Sequence, residues 1–414
     1  MPARGTGDGD SASATFEVFQ SETIATMGRV SRALDDLVKA VADDIQRPYD
    51  LQRLLKLDSK LCWQVFNVIR GGESLASAKH VPGAPSMNRL LAAAETAGVP
   101  AETIDAVRDA VEAFNLLVET HGKDRSSFDS IATAASSAEE SASTDLYHRR
   151  NAYRSESHIW GVQVDAYVAA SIIHPSLDPE FKDECSLTVR VGQRRLRSDA
   201  PVVVHRSSTH ASYKMLPANV RRPLDIEAAE RLNAPLLPQF SSTPLPPMQT
   251  VLQEPGWTQV EVRGGAVGRK ATFNLAFGGV VHNVPYSVDD DGHRLLRQSI
   301  RFITPAGLLV KDFIVHRPTF PNLDPRLIVF PRTDGAEPPR TLASTQRLPV
   351  HAAIESFRAN SPKLAVPEFP QYQDLLSYAC SRMNWILADF DVYRVRLPFP
   401  VLNSIVRIEA TLPD

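Results

Sequence analysis

The period of the apolar residues changes at Ile159, and this change limits the folds open to the 414-residue chain. Before it, apolar residues recur three or four apart, the spacing of one stripe on an α-helix. After it they alternate and are rich in β-branched types, as in strands with two distinct faces. The pattern predicts an α+β protein: an all-α N-terminal half, then a β-rich C-terminal half with a mixed or antiparallel sheet. The length calls for two or three domains. The expected division is a disordered Gly/Ser/Asp-rich tail over 1–20, a helical domain over 21–158 and a β-rich domain over 159–414, crossed by a Pro-rich connection at 233–256.

Composition narrows the function classes. Hydrophobic residues make up 43% and charged residues 22%, enough for a sizeable core. A formal net charge of −3 argues against a generally basic, nonspecific nucleic-acid binder but leaves room for a local basic surface. Cys62, Cys185 and Cys380 are far apart and form no CxxC or Cys/His cluster. Neither a disulfide framework nor a metal site is expected from them, only three buried thiols. The opening residues MPARGTGDGDSASATFE have no apolar core, and no run of about 18 apolar residues follows. The expectation is a cytoplasmic protein with no membrane partner.

In the helical half, Ile24, Met27, Val30, Leu34, Leu37, Val38 and Val41 form one stripe, with Ser21 as a candidate cap. Such a face packs within its own domain or makes a dimer interface. Further helices are expected from Met87 to about Gly98, from Ala101 to Thr120, from Ser126 to Ala135 and from Asp145 to about Ser157. Between the last two, SSAEESAST reads as a linker or solvated helix end. Residues 1–150 hold 22 acids and 16 basic residues, net −6.

One stretch stands out against that acidity. RPYDLQRLLKLDSKLCWQVFNVIRGG, residues 47–72, carries five basic residues and two acids up to Arg70. Asp50 can cap a helix over Leu51–Leu57, and Asp58 or Ser59 one over Lys60–Arg70, with Gly71-Gly72 as its stop. Leu51, Leu54, Leu55 and Leu57 would then face Leu61, Cys62, Val65 and Ile69. Ser59, Lys60, Trp63, Gln64 and Asn67 would share the outward face. Gln and Asn can hold adenine edges at two points, and Lys can reach guanine or phosphate. Over these residues the stretch resembles the helix-turn-helix of bacterial transcriptional regulators, the matching positions being Asp50, Leu51, Leu55, Leu57, Asp58, Leu61, Trp63, Val65, Val68 and Arg70. Gln52 replaces the familiar small residue of the first helix, and Lys56 the turn glycine. The resemblance implies a DNA-binding regulator contacting double-stranded DNA through Ser59, Lys60, Trp63, Gln64 and Asn67, flanked by Arg47 and Arg70. An ordinary αα-hairpin in a bundle is the plain alternative.

The second half reads as many short strands. VDDDGHR at 288–294 has the chemistry of a hairpin turn, and helices interrupt at Asp225–Leu232 and Tyr372–Leu387. No catalytic signature emerges. GGAVGRK at 264–270 misses the phosphate-loop spacing. Asp289, Asp290 and Asp291 lack the remaining ligands of a calcium loop. Asp389 and Asp391 alternate with no partner residue nearby, and His205 and His210 flank a loop-like RSST. From Thr188 to Arg222, eight basic residues (Arg190, Arg194, Arg195, Arg197, Arg206, Lys214, Arg221, Arg222) face one acid, Asp199. That excess suits the acidic N-terminal half, a dimer partner, an anionic effector or phosphate. The expected protein is a homodimeric, non-enzymatic regulator without cofactor, whose second half senses a small-molecule effector or oligomerises. A self-assembling interaction protein is the alternative.

Overall fold

The computed structural model describes residues 8–135, 138–208, 220–254, 257–289, 291–331, 347–350 and 352–412. The chain divides into two compact units, Met1–Thr144 and Asp145–Asp414. The first is helical and the second β-rich, an α+β protein in the expected order.

The helical unit contains α1 (Asp8–Val41), α2 (Pro48–Leu55), α3 (Ser59–Gly71), α4 (Ala84–Thr96), α5 (Ala101–His121) and α6 (Arg125–Ala134), with a 3-10 turn at Leu75–His80. A further helix, α7 (Ala138–Trp160), leads into the second unit. α1 begins at Asp8, so residues 8–20 are helical where a tail was expected. Its buried stripe is Phe19, Met27, Val30, Leu34, Leu37 and Val38, while Ile24 is exposed. The stripe joins one cluster with Ile104, Val107 and Phe114 of α5 and Leu61 and Val65 of α3. The apolar face of α1 is therefore covered within its own unit. Aromatic edges tie the end of this core together, with Phe128 5.8 Å from Phe19 and 5.7 Å from Phe114.

The second unit holds β1 (Val162–Gln163), β2 (Ala166–Pro175), β3 (Phe181–Arg195), β4 (Val202–Ser208), β5 (Arg222–Pro223), α8 (Ile226–Leu232), β6 (Met248–Glu254), β7 (Trp257–Val262) and β8 (Phe273–Pro285). Then come β9 (Ser287–Val288), β10 (Arg294–Arg301), β11 (Leu308–His316), β12 (Arg326–Pro331), β13 (Ile354–Arg358), α9 (Tyr372–Met383), β14 (Phe390–Pro398) and β15 (Ser404–Thr411). The main sheet runs β13-β14-β11-β2-β3-β8-β5, with β1 added to β3. β11 and β2 are parallel, Leu309 opposite Tyr167, while their neighbours pair antiparallel, so the sheet is mixed. Two smaller sheets follow, β12-β15-β10-β9 and β4-β7-β6.

Alternation assigns the faces of the main sheet. Val168, Ala170 and Ile172 of β2 point to a core closed by Tyr372, Leu375 and Leu376 of α9. Tyr167, Ala169 and Ile173 point to the opposite core, shared with Leu296, Val406 and Ile408 of the four-stranded sheet. A strand buried on both faces reads as a continuous apolar run, which is why AYVAASII shows little polar alternation. The hairpin at 288–294 forms as expected, Val288 opposite Arg294, with Asp289 Oδ1 accepting from the backbone of Asp291 and His293. Asp290 lies outside the described residues. The Pro-rich stretch departs from expectation. Ala234, Leu236, Leu237 and Phe240 are buried and Met248–Glu254 is a strand, so the stretch is anchored in the unit at 234–240 and paired at 248–254, with Thr243, Pro244 and Pro247 exposed between.

Candidate nucleic-acid interface

The hairpin of α2 and α3 is built by local chemistry. Pro48 occupies the first position of α2, where its missing N–H costs nothing, so the helix begins before Asp50 rather than being capped by it. Lys56 ends α2 in the left-handed region, φ 51° and ψ 38°. This is the conformation the usual turn glycine would supply, and here a lysine side chain adopts it. Asp58 then caps α3, its Oδ1 accepting from Leu61 N at 2.9 Å. That hydrogen bond holds the Asp58 carboxyl below the usual range, assisted by the charge of Arg89, 3.1 Å from Oδ2. α3 stops at Gly71, where an added Cβ would lie 2.5 Å from the Cβ of Ser77, so only glycine lets the 3-10 turn approach. Gly72 follows at φ 54°, its N–H donating to Val68 and Ile69 carbonyls.

Packing decides which face of α3 is free. Leu61, Cys62, Val65, Phe66 and Val68 are buried against α1 and α2. Burying one such leucine contributes about 1.5–3 kcal/mol, which fixes the rotation of the helix. Ile69 is only half-buried, and Leu54, expected inward, is exposed. On the other side Ser59, Lys60, Trp63 and Arg70 are exposed, and Gln64 and Asn67 half-exposed. The expected outward residues therefore do share one accessible strip. Arg47, Arg53, Lys56, Lys60 and Arg70 are all exposed on the same stretch of chain. Of the two nearby acids, Asp58 is engaged by Arg89 and the α3 backbone.

Three details modify the strip. Asn67 Nδ2 donates to Trp63 O at 3.0 Å, which occupies one of its amide hydrogens. The Arg70 guanidinium sits 5.6 Å from the Phe66 ring centre. Trp63 is 53% exposed and meets His80 edge to face at 5.2 Å. Burial, and then the Lys79 charge, hold His80 below the ordinary histidine range, so it stays neutral near pH 7. Sequence reasoning missed His80 and Arg89 because both arrive from later elements, with no local spacing to mark them.

Among the described residues, the basic stretch of the second unit lies only partly on the surface. Arg190 donates to the Val203 and Val204 carbonyls and lies over the Phe277 ring at 5.0 Å. Arg194 pairs with Asp165 at 2.8 Å, and buried Arg195 donates to Ala200 O at 2.8 Å and to Val262 O. Arg206 bonds Gln259, and Arg197 reaches Asp199 at 3.6 Å. Arg190 and Arg195 clamp β3, β4 and β7 together inside the unit, while Arg197, Arg206 and Arg221 are exposed, so the stretch is divided between interior and surface. Lys214 and His210 lie outside the described residues. Burial, then the Arg190 charge, push His205 down to about 4, the state of a neutral interior histidine. GGAVGRK is an exposed turn between β7 and β8. No family model matches the chain, and no curated protein matches it either.

Proposed function

We propose that the chain is a DNA-binding transcriptional regulator whose α2–α3 hairpin sets α3 in the major groove. In this reading Gln64 and Asn67 meet base edges, Ser59, Lys60, Arg47, Arg53, Lys56 and Arg70 meet the backbone, and Trp63 packs at the groove edge. The protein works in the cytoplasm as a homodimer, and the β-rich unit senses an effector or oligomerises. The observation that carries it is the accessible strip on α3 together with five exposed cations between Arg47 and Arg70. An anionic duplex complements such a surface, and side chains of these types carry base readout.

Fluorescence anisotropy against genomic fragments at two salt concentrations tests the reading. Contact with about five phosphates gives a salt slope near −4 to −5 and a clear preference for some fragments. Equal affinity for all fragments sinks the idea. One observation favours a second reading: Tyr49, Leu54 and Trp63 are all exposed on the same hairpin, 69%, 46% and 53%. Exposed apolar and aromatic side chains of this kind suit a protein partner, the helical unit then serving self-assembly. Light scattering separates the two, since large assemblies that form without DNA support the second.

A further inference from the structure

His174 and His316 meet at one end of the main sheet. β2 and β11 run parallel with Val315 opposite Ile173, so the next residue of each strand turns to the face that α9 covers. Their ring centres are 4.5 Å apart. Trp385, just past α9, lies flat on His174 at 4.9 Å and 8°, and Phe390 closes the cluster 5.6 Å from His316. His174 Nδ1 donates to Pro175 O at 2.7 Å, and His316 Nδ1 bonds Thr319 Oγ1 at 2.9 Å, which fixes both rings. The segment that covers them is lightly held. Tyr372, Leu375, Leu376 and Ala379 anchor α9 in the core, but beyond the helix Trp385 and Leu387 are half-buried, Ala388 is exposed and Ile386 is 68% exposed. Backbone bonds from Trp385 N to Cys380 O and from Arg317 N to Asp389 O, both 2.9 Å, fasten its two ends.

Burial first, then the charge of His174, hold His316 below the ordinary histidine range, with Asp389 opposing and Arg317 assisting. On β3, Asp183 is the register partner of His174, and its carboxylate is taken up by His282 at 2.7 Å and by the Asn283 N–H. Asp391 of β14 alternates onto the other face of the sheet, and Arg382 in the last turn of α9 is exposed. Two positive rings so close in a half-buried site repel each other and lose hydration. We propose that this pair is an acid-operated latch: when both rings are protonated, residues 384–389 leave the end of the sheet and uncover Trp385, while α9 and the sheet stay folded. A histidine that resists protonation in the folded chain costs stability as the pH falls through the ordinary histidine range, so acid opens the latch and neutral pH closes it. The reading goes beyond DNA recognition and does not depend on it, because the cluster lies wholly within the second unit.

The test uses the full chain without DNA. The fluorescence of Trp385, taken as the difference from the Trp385→Phe variant, is followed from about pH 7.5 to about pH 5 beside far-UV circular dichroism. Hydrogen exchange over 384–389, corrected for the intrinsic effect of pH, gives a second readout on the unaltered chain. Acid is expected to red-shift Trp385 and speed exchange over 384–389, with the circular dichroism retained. His316→Gln, polar but unable to take a proton, abolishes both changes. Asp389→Asn removes a carboxylate that eases charge on His316 in the closed form, so the midpoint moves to higher pH. Arg317→Gln removes a repelling cation and moves it to lower pH, and a merely structural role would not give these opposite shifts. His158→Gln, at an exposed histidine of α7, leaves the midpoint unchanged. Flat signals down to pH 5, changes that survive His316→Gln, or loss of the circular dichroism along with them overturn the proposal.

Discussion

Arg394 and Asp312 face each other across β14 and β11 as a two-point ion pair, Nε on Oδ1 and Nη2 on Oδ2, both at 2.7 Å. The side chains are 4% and 0% exposed. Arg394 also donates to the carbonyls of Lys363, Leu364 and Ala365, and Tyr372 Oη donates to Asp312 Oδ2 at 2.6 Å. The pair therefore ties α9 and the chain before it to the centre of the main sheet.

Removing one partner leaves the other charged and buried. Asp312→Ala is expected to destabilise the second unit by roughly 3–5 kcal/mol, and Tyr372→Phe by roughly 1.5–3 kcal/mol. Urea unfolding measures both. A loss below about 1 kcal/mol for Asp312→Ala would show that the pair is not what anchors α9.

Lys311 gives a pH signature. Burial is the largest influence on it and lowers its pKa to about 8 from 10.5, despite the charges of Asp312 and Glu184. Between those two values the unfolded chain binds the proton and the folded chain does not. Stability from this group therefore rises with pH across the window. Lys311→Met removes that rise and is expected to be the more stable protein at pH 7, by a few kcal/mol. Burial pushes Cys185 and Cys380 up to about 12, and they act in the opposite sense above pH 9. They are common to both proteins, so the difference between the two stability curves isolates Lys311.

Lys56 carries backbone strain at φ 51°. Lys56→Gly relieves it and is expected to stabilise the helical unit by about 0.5–1 kcal/mol, while Lys56→Val destabilises it. If α3 binds DNA, the glycine variant also loses one cation, so affinity falls as stability rises. Paired melting and anisotropy measurements read both at once.

The side chains of α3 make separable predictions for DNA. Lys60→Ala weakens binding evenly across sequences and flattens the salt slope by about one unit. Gln64→Ala and Asn67→Ala cost about 1–3 kcal/mol on the preferred fragment and relax the preference at one base pair each. Competition anisotropy with single-base variants of the fragment separates these patterns. Identical behaviour of the three variants would mean that no base is read by Gln64 or Asn67. Trp63→Ala serves the second reading: abolished self-association with intact folding would support it.

Amphipathic periodicity alone determined the helical half, the strand-rich half and their order, because a helix or strand that buries one face writes its period into the sequence. Caps and stops did the same locally, with Asp58 starting α3 and Gly71-Gly72 ending it. The outward strip of α3 was legible for the same reason. Where contacts come from far along the chain, spacing carried no trace. The stripe of α1 alone could not name α5 as its cover, and the helix reached back to Asp8 through residues whose composition resembles a tail. The run of arginines in β3 and β4 read as a surface charge, yet tertiary structure turned Arg190 and Arg195 inward onto carbonyls of neighbouring strands. In the same way Glu409 of β15 meets Arg297 of β10 and Arg326 of β12 only after the three strands come together in one sheet. Sequence sets which face of an element is apolar; the fold decides which distant charges that element will meet, because electrostatic partners need proximity and not periodicity.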